Sequence, residues 1–231
     1  MIKKSRIFEV YESEGRKKLL TRSLTPGVRF FGERTIRENN IEYREFEPRR
    51  SKLSSAILNG CQNIFIRGGN VVLYLGASHG YTVSHVSDIV GKEGFVFAVD
   101  SSPRVVRDLY FLAKLRKNIA PILADANNPE EYLKNGCIAD IVYQDIAQKN
   151  QAEIFLKNIK LFLKDGGYCL LAVKARSINV IKKPGEIFKD VRKTLEKELV
   201  VADSRILEPY QHDHCMFICK LDKRHLTTER K

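Results

Sequence analysis

The sequence predicts an α/β protein in which a Rossmann-like sheet of seven mostly parallel strands follows a small mostly-β N-terminal domain. From residue 71 onward, nearly continuous apolar runs alternate with segments of helical periodicity, which is typical of a parallel sheet covered on both faces. Before residue 50, short strand-like runs are separated by turn-forming residues. We therefore assign residues 1–50 to the small domain and residues 51–231 to the Rossmann-like domain.

Three strands are predicted in the small domain, from the runs RIFEVYE, GVRFF and IEYREFEP. Glycine, proline and asparagine residues between positions 15 and 40 separate these runs, and such residues favour tight turns. The next segment, SKLSSAILNGCQNIFI at 51–66, predicts a leading helix. Ser51 is a preferred N-cap residue, and the apolar residues after it recur on one face.

The Rossmann-like domain is predicted from seven apolar runs and the helical segments between them. The predicted strands are 71–75, 95–100, 120–125, 140–145, 168–174, 199–206 and 214–221. The predicted helices are 82–90, 103–117, 150–163 and 184–198, whose apolar residues have helical spacing. No helix separates the last two strands, which predicts an antiparallel hairpin at the edge of the sheet.

The composition is that of an ordinary globular protein, with 43% hydrophobic and 29% charged residues, and it argues against a disordered chain. No apolar run approaches the roughly 20 residues that a membrane span needs. The N-terminal residues lack the apolar region of a signal peptide. We therefore expect a cytoplasmic protein with no membrane partner.

The chain carries a net charge of +12, and the excess is largest near the N-terminus. Residues 1–70 hold 15 basic and 8 acidic side chains, whereas residues 71–231 hold 25 and 20. Such an excess favours a polyanion partner, with RNA or DNA as the first options. General basicity with no specific partner remains the alternative.

The cysteines predict neither a disulfide framework nor a metal site. They are odd in number and scattered, mostly in apolar segments, so we expect reduced core residues: Cys61, Cys137, Cys169, Cys215 and Cys219. The cluster of His212 and His214 with the last two cysteines lacks the paired spacing of zinc frameworks. Strand alternation would also direct His214 away from both thiols.

Polar residues stand where the predicted parallel strands end, which is the edge at which such sheets bind ligands. The loop 76–80, GASHG, follows the first strand, and Asp100 follows the second, 20 residues beyond Gly80. At that separation an acidic side chain can bind a ribose diol. Asp125 with Ala126 could meet an adenine edge. Because Ser78 replaces the second glycine of a dinucleotide fingerprint, S-adenosylmethionine fits better than NAD.

A second group of residues could activate a ribose hydroxyl. Asp145 and Lys174 end the fourth and fifth predicted strands, and Lys52 and His214 could join them. A lysine–carboxylate cluster can orient an attacking oxygen, and a neutral lysine can accept its proton. Each of these residues taken alone is more commonly a surface charge or a satisfied structural side chain.

Several motifs together resemble the fibrillarin family, particularly its archaeal fibrillarin-like form, over essentially the whole chain. They are VLYLGASHGYTVSHVSDIVG, PILADANNPEEY, DIVYQDIAQKNQAEIFLKN, FLKDGGYCLLAVKARSI and LEPYQHDHCMF. The resemblance implies an S-adenosylmethionine-dependent methyltransferase fold and methylation of 2′-hydroxyls in rRNA or tRNA. It also implies a box C/D guide RNA, a scaffold protein of the Nop56/Nop58 type and a kink-turn-binding ribosomal-type protein as partners.

The resemblance also assigns roles to residues. It implies that the cofactor is bound by Gly76, Ala77, Tyr81, Thr82, Asp100, Ser101, Asp125, Ala126, Asp145, Ile146, Ala147 and Gln148. The catalytic positions it implies are Lys52, Asp145, Lys174 and His214. Three residues depart from the family pattern, namely His79, Tyr81 and Asp100, where small, threonine and glutamate side chains are common. We expect His79 to line or cap its loop, with no catalytic role.

Two other functions are compatible with parts of the sequence. A non-catalytic subunit of an RNA particle would need only the basic surface, with a vestigial pocket, but all four implied catalytic residues are present. An NAD-linked oxidoreductase on the same sheet is disfavoured by Ser78. The chain lacks the Arg-Gly-rich tail of eukaryotic fibrillarins, which favours the archaeal form.

Overall fold

The computed structural model describes residues 1–15, 18–133 and 138–222, which form two sheets. Cys137 lies outside the described residues, and so do the last nine residues of the chain. None of the described helices combines the length and the apolar character that a membrane span requires.

The N-terminal sheet has five antiparallel strands in the order β1-β2-β3-β5-β4. They are β1 Ile2–Lys4, β2 Val10–Ser13, β3 Lys18–Arg22, β4 Thr35–Glu38 and β5 Ile41–Glu45. The predicted small mostly-β region is therefore confirmed, but one of its predicted strands is wrong. Residues 27–31 form turns, whereas the unpredicted β3 lies at the centre of the sheet.

The seven-stranded sheet follows the predicted α/β pattern closely. Its strands are β6 Val71–Leu75, β7 Phe95–Asp100, β8 Ile119–Leu123, β9 Ala139–Gln144, β10 Leu163–Lys174, β11 Val200–Ile206 and β12 His214–Lys220. Their order is β11-β12-β10-β9-β6-β7-β8. Five neighbouring strands run parallel to one another, in the spatial order β10, β9, β6, β7 and β8. The strand β12 pairs antiparallel with both β10 and β11. The predicted edge hairpin is thus confirmed.

Helices cover both faces of this sheet. They are α1 Lys52–Leu58, α2 Tyr81–Val90, α3 Pro103–Leu115, α4 Glu130–Leu133, α5 Gln151–Phe162, α6 Ala175–Ile178 and α7 Pro184–Glu196. The four predicted helices between strands are present. The leading helix is shorter than predicted, because the chain turns at Gly60, whose φ is 92°. Its predicted N-cap is confirmed, since Ser51 Oγ accepts a hydrogen bond from Ser54 N.

Two large hydrophobic clusters lie on the two faces of the seven-stranded sheet. The first also contains Ile7, Val10 and Leu19 from the N-terminal sheet region, so the two sheets share a core. Four cysteines are buried free thiols, as expected: Cys61, Cys169, Cys215 and Cys219. The domain boundary at residue 50 stays a prediction.

Candidate active site

The carboxyl ends of β6, β7, β8 and β9 surround a cleft of about 230 Å³. This is the edge at which open parallel sheets bind ligands. Nine of the predicted cofactor residues line it: Gly76, Asp100, Ser101, Asp125, Ala126, Asp145, Ile146, Ala147 and Gln148. Ser78, Val99 and Ala124, which were not predicted, line it as well. The cleft therefore gathers residues from four strand ends that are far apart in the sequence.

Gly76 brings the end of β6 against the end of β9. Its φ is 79°, a conformation that glycine adopts with little strain. A Cβ atom here would lie 2.7 Å from Ile146 Cγ2 and would also overlap the carbonyl oxygen of Asp145. The glycine is therefore required by the close packing of two cleft segments.

Asp100 is fixed by the backbone on both sides of its carboxylate. Its Oδ2 accepts a hydrogen bond from Ser78 N at 2.9 Å, and its Oδ1 accepts one from Ser102 N at 3.0 Å. A carboxylate has about four acceptor positions, so each oxygen can accept a further hydrogen bond from a ligand. Although aspartate is one methylene shorter than glutamate, the side chain of Asp100 still lines the cleft.

Side-chain amides connect Asp125, which follows β8, to the segment that follows β9. Asp125 Oδ1 accepts hydrogen bonds from Asn127 N at 2.9 Å and Asn127 Nδ2 at 3.0 Å. Asn127 Nδ2 also donates to Gln148 Oε1 at 2.8 Å, and its own Oδ1 accepts from Asn150 Nδ2 at 3.1 Å. Sequence reasoning missed Asn127, although its place two residues after Asp125 is the spacing of a local Asx turn.

Three predicted cofactor residues lie outside the residues that line the cleft. The N–H of Ala77 donates to the carbonyl of Val99, and its side chain is buried. Tyr81 Oη accepts from Glu47 N at 2.9 Å and donates to the carbonyl of Glu45, so it is directed at the N-terminal sheet. Thr82 Oγ1 bonds to Ser51 Oγ at 3.0 Å, which joins α2 to the start of α1.

His79 also lies away from the residues that line the cleft. Its Nδ1 is 2.7 Å from Asp108 Oδ2 on α3, and its side chain is more than half exposed. The adjacent Gly80 packs against α3 as well, because a Cβ there would lie 2.6 Å from Leu112 Cδ2. This part of the loop thus contacts a neighbouring helix.

Lys52 and Asp145 form an ion pair at the mouth of the cleft. Lys52 Nζ lies 2.9 Å from Oδ1 and 3.0 Å from Oδ2 of Asp145, and both side chains are about one-fifth exposed. The helix α1 supplies the lysine, and the chain just after β9 supplies the carboxylate. The pair therefore fixes the carboxylate while leaving it within reach of solvent.

Lys174 and His214 lie opposite each other in the register of β10 and β12. His214 Nδ1 lies 2.6 Å from the carbonyl oxygen of His212 and must carry the hydrogen it donates, which leaves Nε2 as an acceptor. Burial lowers the pKa of His214, and the nearby charges of Lys52 and Lys174 act in the same direction. His214 is therefore neutral near pH 7.

The ammonium group of Lys174 has no ion-pair or hydrogen-bond partner among residues 1–15, 18–133 and 138–222, and its side chain is exposed. Its backbone, in contrast, is firmly held. The N–H of Lys174 donates to Gln151 Oε1 at 3.1 Å, and its carbonyl accepts from Gln151 Nε2 at 3.3 Å. The strand end is fixed, and the cation is available to a ligand.

Gln151 is a site residue that sequence reasoning missed. Its fully buried amide also donates from Nε2 to the carbonyl of Gln148 at 2.8 Å. It thereby connects Lys174 to the segment that lines the cleft after β9. A buried glutamine at the first turn of α5 has no distinctive sequence signal beyond the unusual burial of a polar side chain.

A larger cavity of about 730 Å³ lies at the other end of the sheet. The loops 68–69 and 90–93 line it and precede β6 and β7, so it is at the amino ends of the strands. Asp88, which also lines it, is already bonded to two arginines. We therefore place the candidate site at the smaller cleft, where the carboxyl ends of the strands meet.

No group of three histidine, cysteine, aspartate or glutamate side chains is placed to hold a metal ion within the described parts of the chain. His214, which the sequence places in the QHDHC cluster, has its Nδ1 on a carbonyl oxygen and lies across from Lys174. The two cysteines of that cluster are buried in the sheet.

Comparisons with known proteins agree with this arrangement. The family model described as fibrillarin matches residues 1–223. The fibrillarin-like rRNA/tRNA 2′-O-methyltransferase of Thermococcus gammatolerans is 47% identical over 214 residues, which cover 93% of this chain and 95% of that protein.

Two solved structures extend the similarity to the fold. Aeropyrum pernix fibrillarin, in complex with natively bound S-adenosyl-L-methionine, superposes with a TM-score of 0.87 at 42% identity and covers 95% of this chain and 97% of that one. The fibrillarin of a fibrillarin/Nop5p complex superposes with a TM-score of 0.86 at 39% identity and covers 94% and 100% of the two chains.

Proposed function

The chain belongs to the fibrillarin family, and we propose that it is an S-adenosylmethionine-dependent RNA 2′-O-methyltransferase. It acts on rRNA and tRNA as the catalytic subunit of a box C/D guide-RNA particle. The main support for this proposal is that Asp145, which forms an ion pair with Lys52, also lines the cleft at the strand ends. One group of residues can bind the cofactor while an adjacent one orients a hydroxyl.

The cleft fits an adenosine cofactor by its pattern of acceptors. Asp100 retains acceptor positions that suit the two hydroxyls of a ribose. Asp125 accepts its two hydrogen bonds from Asn127 through Oδ1, so its other carboxylate oxygen can accept a hydrogen bond from the amino group of adenine. The negative charge of Asp145, at the mouth of the cleft, suits a positively charged sulfonium group.

When bound, S-adenosylmethionine supplies the electrophilic methyl group for transfer. Asp145, held by Lys52, accepts a hydrogen bond from the ribose 2′-hydroxyl and orients its oxygen for attack. Lys174, in its neutral amine form, contacts the same oxygen through Nζ and accepts the proton of the hydroxyl. His214, neutral and with Nε2 as an acceptor, positions the hydroxyl or the neighbouring RNA backbone.

The choice of nucleotide is assigned to a base-paired guide RNA. The net charge of +12 provides general affinity for a polyanion, but such affinity does not distinguish sequences. The known complex of a related fibrillarin with Nop5p supports a scaffold protein of the Nop56/Nop58 type as a partner. A kink-turn-binding ribosomal-type protein completes the proposed particle.

The test is methyl transfer by a particle reconstituted from the purified chain, its protein partners and a matched guide RNA. With labelled S-adenosylmethionine, the parent should methylate the 2′-oxygen opposite the guide position. Lys174→Ala should lower the single-turnover rate by about 10²- to 10⁴-fold, the usual contribution of general acid–base catalysis, while retaining cofactor binding.

Lys193→Ala is the matched control, because Lys193 is an exposed lysine on α7 with no role in the site. It should leave the rate unchanged. Equal rates in the Lys174→Ala variant and the parent would remove Lys174 from the mechanism. A parent that transfers no methyl group would instead favour a non-catalytic subunit of an RNA particle.

A further inference from the structure

An exposed apolar tip lies just beyond the strand end that carries Lys174. The chain passes from β10 through the short helix α6 into residues 179–183, here called the tip loop, before α7 begins at Pro184. Val180 and Ile181 are 70% and 90% exposed, which is unusual for adjacent aliphatic residues. The tip loop therefore presents apolar surface close to the carboxyl end of β10, which carries Lys174.

Specific contacts hold the tip loop in its shape. Asn179 Oδ1 accepts hydrogen bonds from the N–H groups of Ile181 at 2.8 Å and Lys182 at 2.9 Å. Arg176 Nη1 donates to the carbonyl of Val180 at 2.6 Å, and its Nε donates to Asp213 at 3.1 Å. Asn179 and Arg176 thus fix the turn, and in this turn Val180 and Ile181 are exposed to solvent.

The contact between Arg176 and Asp213 joins the tip loop to the strand ends that carry Lys174 and His214. Asp213 immediately precedes His214, and its carbonyl accepts a hydrogen bond from the N–H of Ala175, which follows Lys174. The tip loop is therefore held next to the end of β10, which carries Lys174, and the start of β12, which carries His214.

Cations predominate around this apolar tip. Lys182 and Lys183 are exposed within the tip loop, and Lys174 is exposed at the strand end. Asp213 is paired with Arg176 and Asp190 with Lys182, and the exposed Glu186 in the first turn of α7 adds a third carboxylate, against the four cations Lys174, Arg176, Lys182 and Lys183. The surface around the tip thus carries a net positive charge next to the proposed site of methyl transfer.

We propose that the tip loop enters the minor groove of the guide–target RNA duplex beside the nucleotide that is methylated. Ile181 contacts the sugar edges, and Lys183 contacts a flanking phosphate. This inference rests on the proposed function, and it identifies the surface that receives the RNA.

The geometry of A-form RNA supports a minor-groove contact. The 2′-hydroxyls of an RNA duplex are displayed in its wide and shallow minor groove, so the catalytic cluster must approach from that side. Proteins that bind the minor groove of DNA combine cations with apolar side chains that contact the bases. A rigid aliphatic tip flanked by lysines has this composition, whereas the deep major groove of RNA is inaccessible to it.

The test compares Ile181→Asp with Ile138→Asp in the reconstituted particle. Ile138 is also an aliphatic residue, 67% exposed, but it precedes β9 and thus lies at the opposite edge of the sheet. Ile181→Asp should raise the target RNA concentration for half-maximal methylation about tenfold, because it replaces the apolar contact with the sugar edges by a negative charge near the flanking phosphates. Ile138→Asp should match the parent.

A second variant measures the phosphate contact directly. Lys183→Ala should reduce by about 1 the slope of the logarithm of the RNA affinity against the logarithm of the salt concentration. Binding of the annealed guide–target duplex is measured by filter retention, together with S-adenosylmethionine affinity. The latter should not change in any of these variants, because the tip loop does not line the cleft.

Three results would overturn the inference. The first is equal target affinity in Ile181→Asp and Ile138→Asp, and the second is an unchanged salt slope in Lys183→Ala. The third is loss by Ile181→Asp of binding to the isolated scaffold protein without RNA, which would make the tip loop a protein-docking surface. If the parent binds the duplex but transfers no methyl group, the proposed function fails, whereas filter retention still tests the tip loop.

Discussion

At the scale of single residues, Gln151 joins the segment that lines the candidate cofactor cleft to the strand end that carries Lys174. Its amide binds the backbone of Lys174 on both sides and the carbonyl of Gln148. A buried side-chain amide that satisfies backbone groups has few alternative positions, because an unpaired buried polar group costs about 1–3 kcal/mol. Lys174 is consequently held in a fixed relation to the segment that lines the cleft.

We predict that Gln151→Ala lowers the methyl-transfer rate about 100-fold at saturating RNA and cofactor. A displacement of about 1 Å in a positioned group can cost that much. The Michaelis constant for S-adenosylmethionine should change little, since the carboxylates that we propose to bind it remain. Single-turnover kinetics with varied cofactor would separate the two parameters.

Gln62→Ala provides the control for Gln151→Ala, because Gln62 is an exposed glutamine that does not line the cleft. Thermal unfolding of both variants shows whether the folded state persists at the assay temperature. If the Gln151→Ala rate equals that of Gln62→Ala, the amide has no positioning role. A rise in the Michaelis constant with an unchanged maximal rate would likewise contradict it.

The residues that sequence reasoning found and those it missed differ in a physical way. Asp100, Asp125 and Asp145 could be located because each ends an apolar run, and the ends of parallel strands meet at one edge. Gln151 and Asn127 act through contacts with other segments, which no local pattern encodes. Their roles depend on the distance between strand ends, a property of the assembled fold.

At the scale of elements, a buried ionic network fastens the N-terminal sheet to the helices. Arg44 on β5 pairs with Glu33 at 2.6 Å and with Asp88 on α2 at 2.7 Å. Asp88 also pairs at 2.6 Å with Arg116, which caps α3. The four side chains are 0–3% exposed, so each charge depends on its partners for stabilisation.

We predict that Asp88→Asn destabilises the protein by about 3–5 kcal/mol, the usual effect of breaking a buried ion pair. The change removes the negative charge that two buried arginines share. It also disturbs the hydrogen bonds that Asp88 accepts from Thr21 and from Leu24 N. The measurement is the free energy of unfolding in urea at neutral pH.

Glu196→Gln is the comparison for Asp88→Asn, because Glu196 forms an exposed pair with Arg192 one helical turn away. Exposed pairs of this kind contribute about 0.3–0.5 kcal/mol. Similar losses in the two variants would show that the buried network does not fasten the sheet. A small loss in Asp88→Asn would show the same.

The element predictions failed where distant contacts determine the backbone. The run GVRFF has strand-forming residues, but the carboxylate of Glu42 binds Gly27 N and that of Glu33 binds Phe31 N. The aromatic ring of Phe31 then packs against Tyr81 at 5.5 Å. These contacts select turns at 27–31, whereas the strands of the larger sheet were predicted to within two residues at each end, except that β10 begins at Leu163, five residues before its predicted start.

At the scale of the whole molecule, the N-terminal sheet contributes to the active site through the helix it supports. Ser54 on α1 donates to the carbonyl of Phe46, just after β5, and Ser51 is bonded to Thr82 on α2. These contacts fix α1, which carries Lys52 to Asp145. The small sheet and the larger one thus share a core, and both support the candidate site.

The final prediction concerns the stability that a bound cofactor adds to the whole chain. A ligand present at 100 times its dissociation constant adds about 2.7 kcal/mol to the free energy of unfolding. For a chain of this size each kcal/mol raises the melting temperature by about 2–4 °C, so S-adenosylmethionine should raise it by roughly 5–10 °C. Differential scanning calorimetry with and without the cofactor measures this shift.

Two variants determine where that stability comes from. Ala147 is exposed and lines the cleft, so Ala147→Trp should fill the cleft and abolish the shift while leaving the unliganded protein folded. Lys174→Ala should keep the full shift, because Lys174 lies outside the residues that line the cleft. An unshifted parent would indicate a vestigial pocket, and a full shift in Ala147→Trp would move cofactor binding elsewhere. The predicted pattern therefore separates cofactor binding from methyl transfer within one molecule.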